Sequence, residues 1–503
     1  LYDEHGQRVY IKYGNGVETR YNYDPARRWL KDIKTENKDK NLVFQKINYN
    51  FDAIGNVEGY INTSSKYETS QSYSYDALYQ LIKAEGTHKQ YGGINPNPDN
   101  PHPSTPLHTN KYRQTFAFDI IGNMTNKDST TNISGGSISS DDTKLNYELD
   151  YEYDGKYAHR LIRAGTRYYR YDANGNITAE KDGKFSDKEE ITFTYSYFAE
   201  HDVYGVDYGF DLEPPEDDPA NLESGGTTST TPTGGYRRDY TWNERNLLIK
   251  SDDKLNTVIY RYGEDGQRAL KFTQQSNNET LYFNNFYSVH QVAHEPNHEH
   301  GLRVSKHIFV GNSRLVTAMT HADNHGDTTE QTEKRYYYHA DHLQSAQFIT
   351  NARGEQYEHI EYTPYGELWI EETAPGIDKL PFRFTGKELD EETGLYYYGA
   401  RYLDPKYSRW LSGDPALGEY IPSPGTEPNK LAGMGGVFNT VNLHVYHYGG
   451  NNPVKYIDPD GEFAEITQEG DDITIIIPVQ FKKGTTDKQK KMFTKAAEKY
   501  WTG

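Results

Sequence analysis

One nonapeptide specifies how most of this chain folds: Tyr49-Asn50-Phe51-Asp52-Ala53-Ile54-Gly55-Asn56-Val57. Side chains alternate between the two faces of a β-strand, so Tyr49 and Phe51 place two aromatic rings on one face. Asp52 ends the strand, because its carboxylate can bind backbone amides two residues further on. The following Gly55 supplies the positive φ of a tight turn, and Val57 begins the return strand. The nonapeptide therefore predicts a β-hairpin with one aromatic face.

The same pattern recurs along the first half of the chain. The copies are Tyr21–Asp24, Tyr73–Asp76, Phe116–Met124, Tyr151–Asp154 and Tyr169–Ile177, with decayed copies at Tyr240–Asn243 and Tyr260–Gly266. Each copy is one hairpin whose aromatic face must pack on neighbouring copies to be stable. An ordered series of such units predicts an all-β repeat architecture.

Tyrosine dominates the composition. The chain has 46 Tyr, and aromatic residues make up 14% of it, whereas all hydrophobic residues together reach 34%. A Tyr ring can be buried while its hydroxyl stays hydrogen-bonded, and Tyr favours strands. The composition therefore indicates broad, thin sheet layers rather than one thick aliphatic core.

Composition also excludes several classes of function. A net charge of −20 argues against a nucleic-acid partner, since phosphate binding needs dense Lys and Arg. The longest apolar run, Ile473–Val479, is far shorter than the roughly 20 residues of a membrane span. Cysteine is absent, which excludes disulfides, Cys-ligated zinc and thiol catalysis. The chain begins at Leu1 without a signal peptide, so we expect the export signal to lie outside this fragment.

The repeats resemble the Tyr-Asp (YD, or RHS) repeats of bacterial Rhs proteins, Tc-toxin C subunits and animal teneurins. The resemblance covers about residues 1–463 and is strongest over Arg335–Gly461, which resembles the RHS-associated core. The motifs that carry it there are Tyr336–Leu343, Tyr362–Gly366, Arg383–Glu388, Gly394–Tyr402, Asp404-Pro405 and Asn451–Gly461.

The resemblance implies a β-sheet strip that spirals into a hollow shell and is plugged at one end by the core. Such a shell holds the C-terminal part of its own polypeptide, usually a toxin. We therefore expect a repeat shell at 1–334, the core with a self-cleavage site at 335–462, and the start of a small α+β cargo domain at 463–503. A Tc B-type subunit or a similar module is a candidate for completing the shell. We expect a secreted or cell-surface bacterial protein.

The resemblance also implies an aspartyl self-protease that acts once on its own chain. Asp414 and Asp458 match the aspartyl pair, and Arg401 matches an accessory residue. Two carboxylates in contact share a proton, so one can activate water while the other protonates the leaving group. Arg401 can hold one carboxylate ionised through a bidentate pair.

We expect the cut after Asp-Pro-Asp-Gly, at Glu462–Phe463 or one residue to either side. The family usually has Leu or Met directly after this Gly, whereas this chain has Glu462. No cofactor or metal is expected. We interpret Asp404 and His339-Ala340-Asp341-His342 as structural turns, because Asp-Pro begins turns and buried polar groups are hydrogen-bonded.

Two alternatives remain at this point. The first is a cell-surface adhesion or carbohydrate-binding scaffold of the teneurin kind, in which Tyr rings contact cell-surface glycans and no cut occurs. The second is a zinc protease, because His294-Glu295-Pro296-Asn297-His298 matches the HExxH pattern. That pattern requires a helix, which Pro296 breaks, and the flanks Tyr282–Val289 and Val304–Val310 indicate strands. We therefore predict a hairpin loop at this motif.

Overall fold

A computed structural model describes residues 1–91, 106–134, 144–186, 235–292, 301–321, 328–373, 380–422, 437, 440–461, 467–469 and 472–474. Its main feature is one large antiparallel sheet of 25 strands. In chain order, strands β1–β25 are Tyr10–Lys12, Glu18–Tyr23, Leu30–Asn37, Leu42–Phe51, Val57–Thr63, Tyr67–Tyr75, Leu81–Gln90, His108–Phe118, Met124–Ser134, Tyr147–Tyr153, Leu161–Ala164, Arg167–Tyr171, Ile177–Asp182, Arg237–Trp242, Leu248–Asp253, Thr257–Tyr262, Arg268–Thr273, Asn278–Asn284, Tyr287–Val292, Gly301–Val310, Ser313–His321, Arg335–Ala340, Ala346–Thr350, Gln356–Tyr362 and Leu368–Thr373.

Smaller elements lie outside the large sheet. Strands β26–β29 form a separate four-stranded sheet, and β30 and β31 form a hairpin near the C-terminus. Helix α1 spans Thr328–Glu333. The remaining strands are β26 Glu388–Asp390, β27 Leu395–Tyr397, β28 Tyr402–Asp404, β29 Arg409–Trp410, β30 Thr467–Glu469 and β31 Asp472–Thr474, and the 3-10 helices are Phe384–Gly386, Pro415–Tyr420, Thr440–Leu443 and Gly449–Asn451.

The large sheet is a meander, because each strand from β1 to β25 pairs antiparallel with the next one in sequence. Short local turns suffice to join such strands. The prediction of an all-β repeat fold is confirmed. We call β1–β25 the strip.

The predicted turn chemistry is also confirmed. Asp52 Oδ1 accepts the backbone N–H of Ile54 at 2.9 Å and that of Asn56 at 2.8 Å. Asp76 binds the amides of Leu78 and Gln80 in the same way, each at 2.9 Å. The Asp carboxylate thus accepts the backbone N–H groups that a carbonyl of a partner strand would otherwise accept, and the strand ends there.

The aromatic-x-aromatic pairs lie on one face of the strip, as predicted. Except in the first copy, where Tyr21 is only partly buried, the first ring of each pair is buried in the main hydrophobic core and the second packs partly buried against it, as at Tyr49 and Phe51. Intervening residues such as Ser74 face solvent. An aromatic side chain buries roughly 150–250 Å², so the aromatic pairs are a large part of this core.

The strip coils on itself into a shell, so that its last strands lie against the aromatic face of its first strands. Gln45 on β4 donates to Gln347 on β23 at 2.8 Å. Tyr60 on β5 donates to Glu361 on β24 at 3.2 Å. The small sheet packs further along the same face, where Arg268 on β17 binds Asp390 on β26 at 2.7 Å. Long-range polar contacts thus fix how the coil closes.

One of the two strands predicted beside the HExxH motif is interrupted in the structure. The flank Tyr282–Val289 is divided between strands β18 and β19 by a turn at 285–286, whereas the other flank lies within β20. The HExxH motif, the bond Glu462–Phe463 and, apart from β30 and β31, the expected cargo domain at 463–503 lie outside the described residues.

Candidate functional site

Arg401 brings the three predicted site residues together. Its Nη1 lies 3.2 Å from Oδ2 of Asp414, and its Nη2 lies 2.9 Å from Oδ2 of Asp458. Its Nε donates to the carbonyl oxygen of Gly461 at 2.5 Å. One guanidinium therefore binds both acids and the last residue of the Asp-Pro-Asp-Gly motif.

The Arg401 guanidinium packs on the ring of Trp410. Arg401 directly precedes β28, which pairs with β29, and this pairing brings the Trp410 ring under it. The guanidinium carbon lies 4.4 Å from the Trp410 ring centroid. Arg401 is 2% exposed, so its charge acts in a poorly hydrated setting where cation–π and ionic contacts are strong.

Asp414 caps the 3-10 helix Pro415–Tyr420. Its Oδ1 accepts the backbone N–H of Ala416 at 2.9 Å, and its Oδ2 accepts the Tyr420 hydroxyl at 2.9 Å. Burial raises the pKa of Asp414, repulsion from Asp458 adds to the rise, and Arg401 opposes it. Asp414 therefore takes up a proton at a higher pH than an ordinary aspartate.

Asp458 sits in a turn that is fixed to the β27–β28 hairpin. Its Oδ1 accepts the backbone N–H of Gly461 at 2.7 Å and that of Asp460 at 3.3 Å. The carbonyl of Asp460 in turn accepts the N–H of Ala400 at 2.9 Å. With Arg401 on its other oxygen, the Asp458 carboxylate is bound on both sides by hydrogen-bond donors.

This geometry differs from the expectation of two carboxylates that share a proton. Each Oδ2 is bound by its own terminal nitrogen of Arg401, so the guanidinium links the two acids. Arg401 thus holds both carboxylates, where the sequence suggested that it holds one.

Sequence reasoning missed Tyr420, although a signal for it exists. Pro directly after a capping Asp marks the first turn of a helix. A 3-10 helix has three residues per turn, so the sixth residue after Asp414 returns to the same side. The hydroxyl of Tyr420 is placed on the Asp414 carboxylate by this spacing.

A polar cleft of about 820 Å³ opens beside the site. Water in the cleft can therefore reach Asp414 and Arg401 without any opening of the shell. The walls of the cleft include Arg160, Arg245, Asp265, Arg401, Asp414 and Asp460.

Asp404 caps a turn as predicted, whereas in His339-Ala340-Asp341-His342 only the second half is a turn: His339 and Ala340 end strand β22, and Asp341 Oδ1 accepts the backbone N–H groups of Leu343 and Ser345 at 2.9 and 2.8 Å. Asp404 Oδ1 accepts the backbone N–H groups of Lys406 and Tyr407 at 3.0 and 3.2 Å. His339 is 1% exposed and hydrogen-bonds Thr350 at 2.9 Å. Within the described part of the chain, no group of three or more His, Asp or Glu is placed to hold a metal ion. None of the described helices is long and apolar enough to cross a membrane.

The chain is similar in sequence to two named proteins and in fold to one solved structure. Toxin subunit YenC1 of Yersinia entomophaga is 27% identical over 486 residues, which cover 92% of this chain and 42% of that protein. The tRNA3(Ser)-specific nuclease WapA of Bacillus spizizenii is 29% identical over 228 residues, 45% of this chain and 8% of that protein. The crystal structure of TcdB2-TccC3-Cdc42 superposes with a TM-score of 0.60 at 24% identity, covering 92% of this chain and 19% of that one.

The chain thus spans less than half the length of these relatives. The family model of the teneurin YD-shell matches residues 107–454, which is more than half of the chain. This chain belongs to the teneurin YD-shell family.

Proposed function

We propose that this chain forms the closing part of a secreted bacterial shell that holds a C-terminal toxin segment of its own polypeptide. The shell releases that segment by cutting its own backbone after Asp-Pro-Asp-Gly. Two relatives that share the fold carry a toxin subunit or a nuclease name, which supports a cargo of this kind. A Tc B-type subunit is the partner we propose for completing the shell.

One observation carries the proposal: Arg401 binds the carbonyl oxygen of Gly461 and both acids at once. A positive group on a carbonyl oxygen stabilises the negative charge that develops there when water attacks. The same group fixes both carboxylates within reach of that carbonyl. Such an arrangement is suited to peptide hydrolysis.

The roles of the two acids follow from their surroundings. Asp458, bound by Arg401 and two amides, takes a proton from water as the water oxygen bonds to the carbonyl carbon. Asp414, whose pKa is raised by burial, gives its proton to the leaving nitrogen as the C–N bond breaks. The products are a new carboxylate and a new amine, and the reaction occurs once per chain.

The bound carbonyl belongs to the Gly461–Glu462 peptide bond, one bond before Glu462–Phe463. The contact with Arg401 favours Gly461–Glu462, whereas a cut at Glu462–Phe463 would require Arg401 to bind the next carbonyl instead. The mass of the N-terminal product distinguishes them, since it ends either at Gly461 or at Glu462.

The test compares the unmodified chain with Asp414→Asn and Asp458→Asn by denaturing electrophoresis. Asp404→Asn is the matched control, because Asp404 also precedes a Pro in the core but only caps a turn. We expect the unmodified chain and Asp404→Asn to cut, and both site variants to stay whole. Cutting by both site variants would remove the acids from the mechanism.

A glycan-binding scaffold is the second candidate, and one groove favours it. The groove, of about 760 Å³, crosses β5–β9 and is lined by hydroxyl and amide groups that suit sugar hydroxyls. Its lining includes Ser70, Ser72, Thr87, Thr130 and Asn132. Retention on immobilised glycans that Ser72→Arg abolishes, together with an uncut chain, would favour this candidate over the first.

A further inference from the structure

The segment that leads into Asp458 is attached to hairpin turns more than 300 residues away in sequence. Three of its side chains make these contacts: Asn451, Asn452 and Lys455, which we call the turn clip. Asn451 and Asn452 are 6% and 1% exposed. The clip thus joins the candidate site to the opposite end of the strip.

Asn451 contacts two neighbouring turns. Its Nδ2 donates to Oε1 of Gln80 and to the carbonyl oxygen of Gly122, each at 2.9 Å. Gln80 is itself oriented by its turn, because its Nε2 donates to Oδ2 of Asp76 at 2.9 Å. The acceptor is therefore presented only when that Asp turn has formed.

Asn452 and Lys455 converge on a third turn. The Nδ2 of Asn452 donates to Oδ1 of Asn56 at 3.2 Å and to the carbonyl of Tyr79 at 3.0 Å. The Nζ of Lys455 donates to the same Asn56 oxygen at 3.3 Å. The Asn56 amide is oriented by Asp52, to which its own Nδ2 donates at 2.7 Å. Asn56 thus accepts hydrogen bonds from two residues of the clip.

The path from the clip to the site is short. Lys455 is three residues before Asp458, whose carboxylate contacts Arg401. Directly before Lys455, the carbonyl of Val454 lies 2.8 Å from Nε2 of His342, so the segment is held on a second side. Without the clip, the segment around Asp458 loses its contacts with the hairpin turns and keeps those with His342, Lys387 and Arg401.

We propose that the turn clip positions Asp458, so that self-cleavage proceeds at full rate only after the turns at 52–56, 76–80 and 119–123 have formed. This inference rests on the proposed function. Cleavage would then depend on shell formation, because the clip binds acceptors that are in place only when the Asp turns of the repeats have formed. Premature cutting of a partly folded chain is thereby avoided.

The test measures the first-order loss of full-length chain after refolding, for Asn452→Ala, Lys455→Ala and Asn56→Ala. Misplacing a reacting group by about 1 Å costs up to roughly 100-fold in rate, so we expect each variant to cut roughly 10- to 100-fold more slowly. Asn56→Ala combined with Asn452→Ala should slow the cut by less than the product of the two single effects, because both variants remove the Asn452–Asn56 contact. Lys455→Arg, which keeps a donor, should restore most of the rate.

The matched control is Lys40→Ala. Lys40 binds Glu355 across the coil at 2.6 Å, so it is also a surface Lys with a distant partner, but it lies away from Asp458. We expect this variant to cut at the unmodified rate. We also expect the pH profile of the clip variants to keep its shape, since the clip does not contact Asp414.

Each outcome is decisive. Clip variants that cut as fast as the unmodified chain would overturn the clip and leave the proposed function intact. An unmodified chain that never cuts would overturn both. Slow cutting that merely follows a loss of folded protein, measured by circular dichroism, would reduce the clip to a structural element. If Asn452→Ala does not fold, Lys455→Ala decides, because the Lys455 side chain is only partly buried.

Discussion

Gly399 lies directly against the carbonyl oxygen of Asp460. A Cβ at position 399 would lie 2.7 Å from that oxygen, and the backbone there has a φ of +109°. This close approach is what allows the Asp-Pro-Asp-Gly turn to lie on the β27–β28 hairpin. It places Asp458 and Gly461 around Arg401.

Gly399→Ala should therefore damage the site, and Gly394→Ala is its matched control. Gly394 also has a positive φ, of +74°, but a Cβ there meets nothing within 4 Å. We expect both variants to lose about 1 kcal/mol of stability from backbone strain. Only Gly399→Ala should also slow self-cleavage, by roughly 100-fold, because it displaces the turn. Equal rates for the two variants would show that the close approach does not set the site geometry.

Self-cleavage should become faster as the pH falls below neutrality. Asp414 is the acid of the proposed mechanism, burial raises its pKa, and its protonated fraction grows as the pH falls through that value. The Tyr420 hydrogen bond lowers the pKa of Asp414, so Tyr420→Phe should move the rate profile to higher pH. First-order rates measured across a pH series for both proteins test this. A profile that stays in place in Tyr420→Phe would show that Asp414 is not the acid.

A buried lysine on strand β9 joins two distant parts of the chain: the turn between β24 and β25, and the segment between β28 and β29. Lys127 is fully buried, and its Nζ binds Glu367 at 2.9 Å and the carbonyl of Lys406 at 2.8 Å. Removing one partner leaves a buried charge unpaired, so Lys127→Met should lower the free energy of unfolding by about 3–5 kcal/mol. Lys127→Met with Glu367→Gln should recover much of that loss in urea unfolding. A single variant as stable as the unmodified chain would contradict this account.

His359 should stabilise the coil only while it is protonated. Burial lowers the pKa of His359, but hydrogen bonds with Glu361 and Glu372 outweigh burial and raise the pKa to about 9. A raised pKa gives stability that is fully present below the unfolded value of about 6.5 and is lost as the pH rises through 9. His359→Gln should therefore cost about 3 kcal/mol more near pH 6 than near pH 10. An equal cost at both pH values, measured by urea unfolding, would show that His359 is neutral in the fold.

The repeats could be predicted from sequence because their physics is local. In Tyr49–Val57, strand, turn and return strand are fixed by side chains within nine residues of one another, and the structure reproduces each step. The structural turn at Asp404 was predictable for the same reason. Short-range hydrogen bonds of Asp need no knowledge of the rest of the fold.

The site geometry was only partly predictable. Arg401, Asp414 and Asp458 could be named from their motifs. The position of the one guanidinium between the two carboxylates could not, because it depends on how the coil closes. The contacts of Asn452 with Asn56 depend on closure as well, since 396 residues separate them. No local pattern encodes such pairs, although the polar Asn451-Asn452 pair before a buried segment could have prompted a search for distant acceptors.

The central claim is that the chain cuts its own backbone beside Glu462, and a time course of intact mass after refolding tests it most directly. We predict first-order loss of the 57.8 kDa chain with a half-time that is independent of protein concentration, because the reaction is intramolecular. The N-terminal product should end at Gly461 or Glu462. A chain that stays at 57.8 kDa, or a half-time that shortens as concentration rises, would contradict the account.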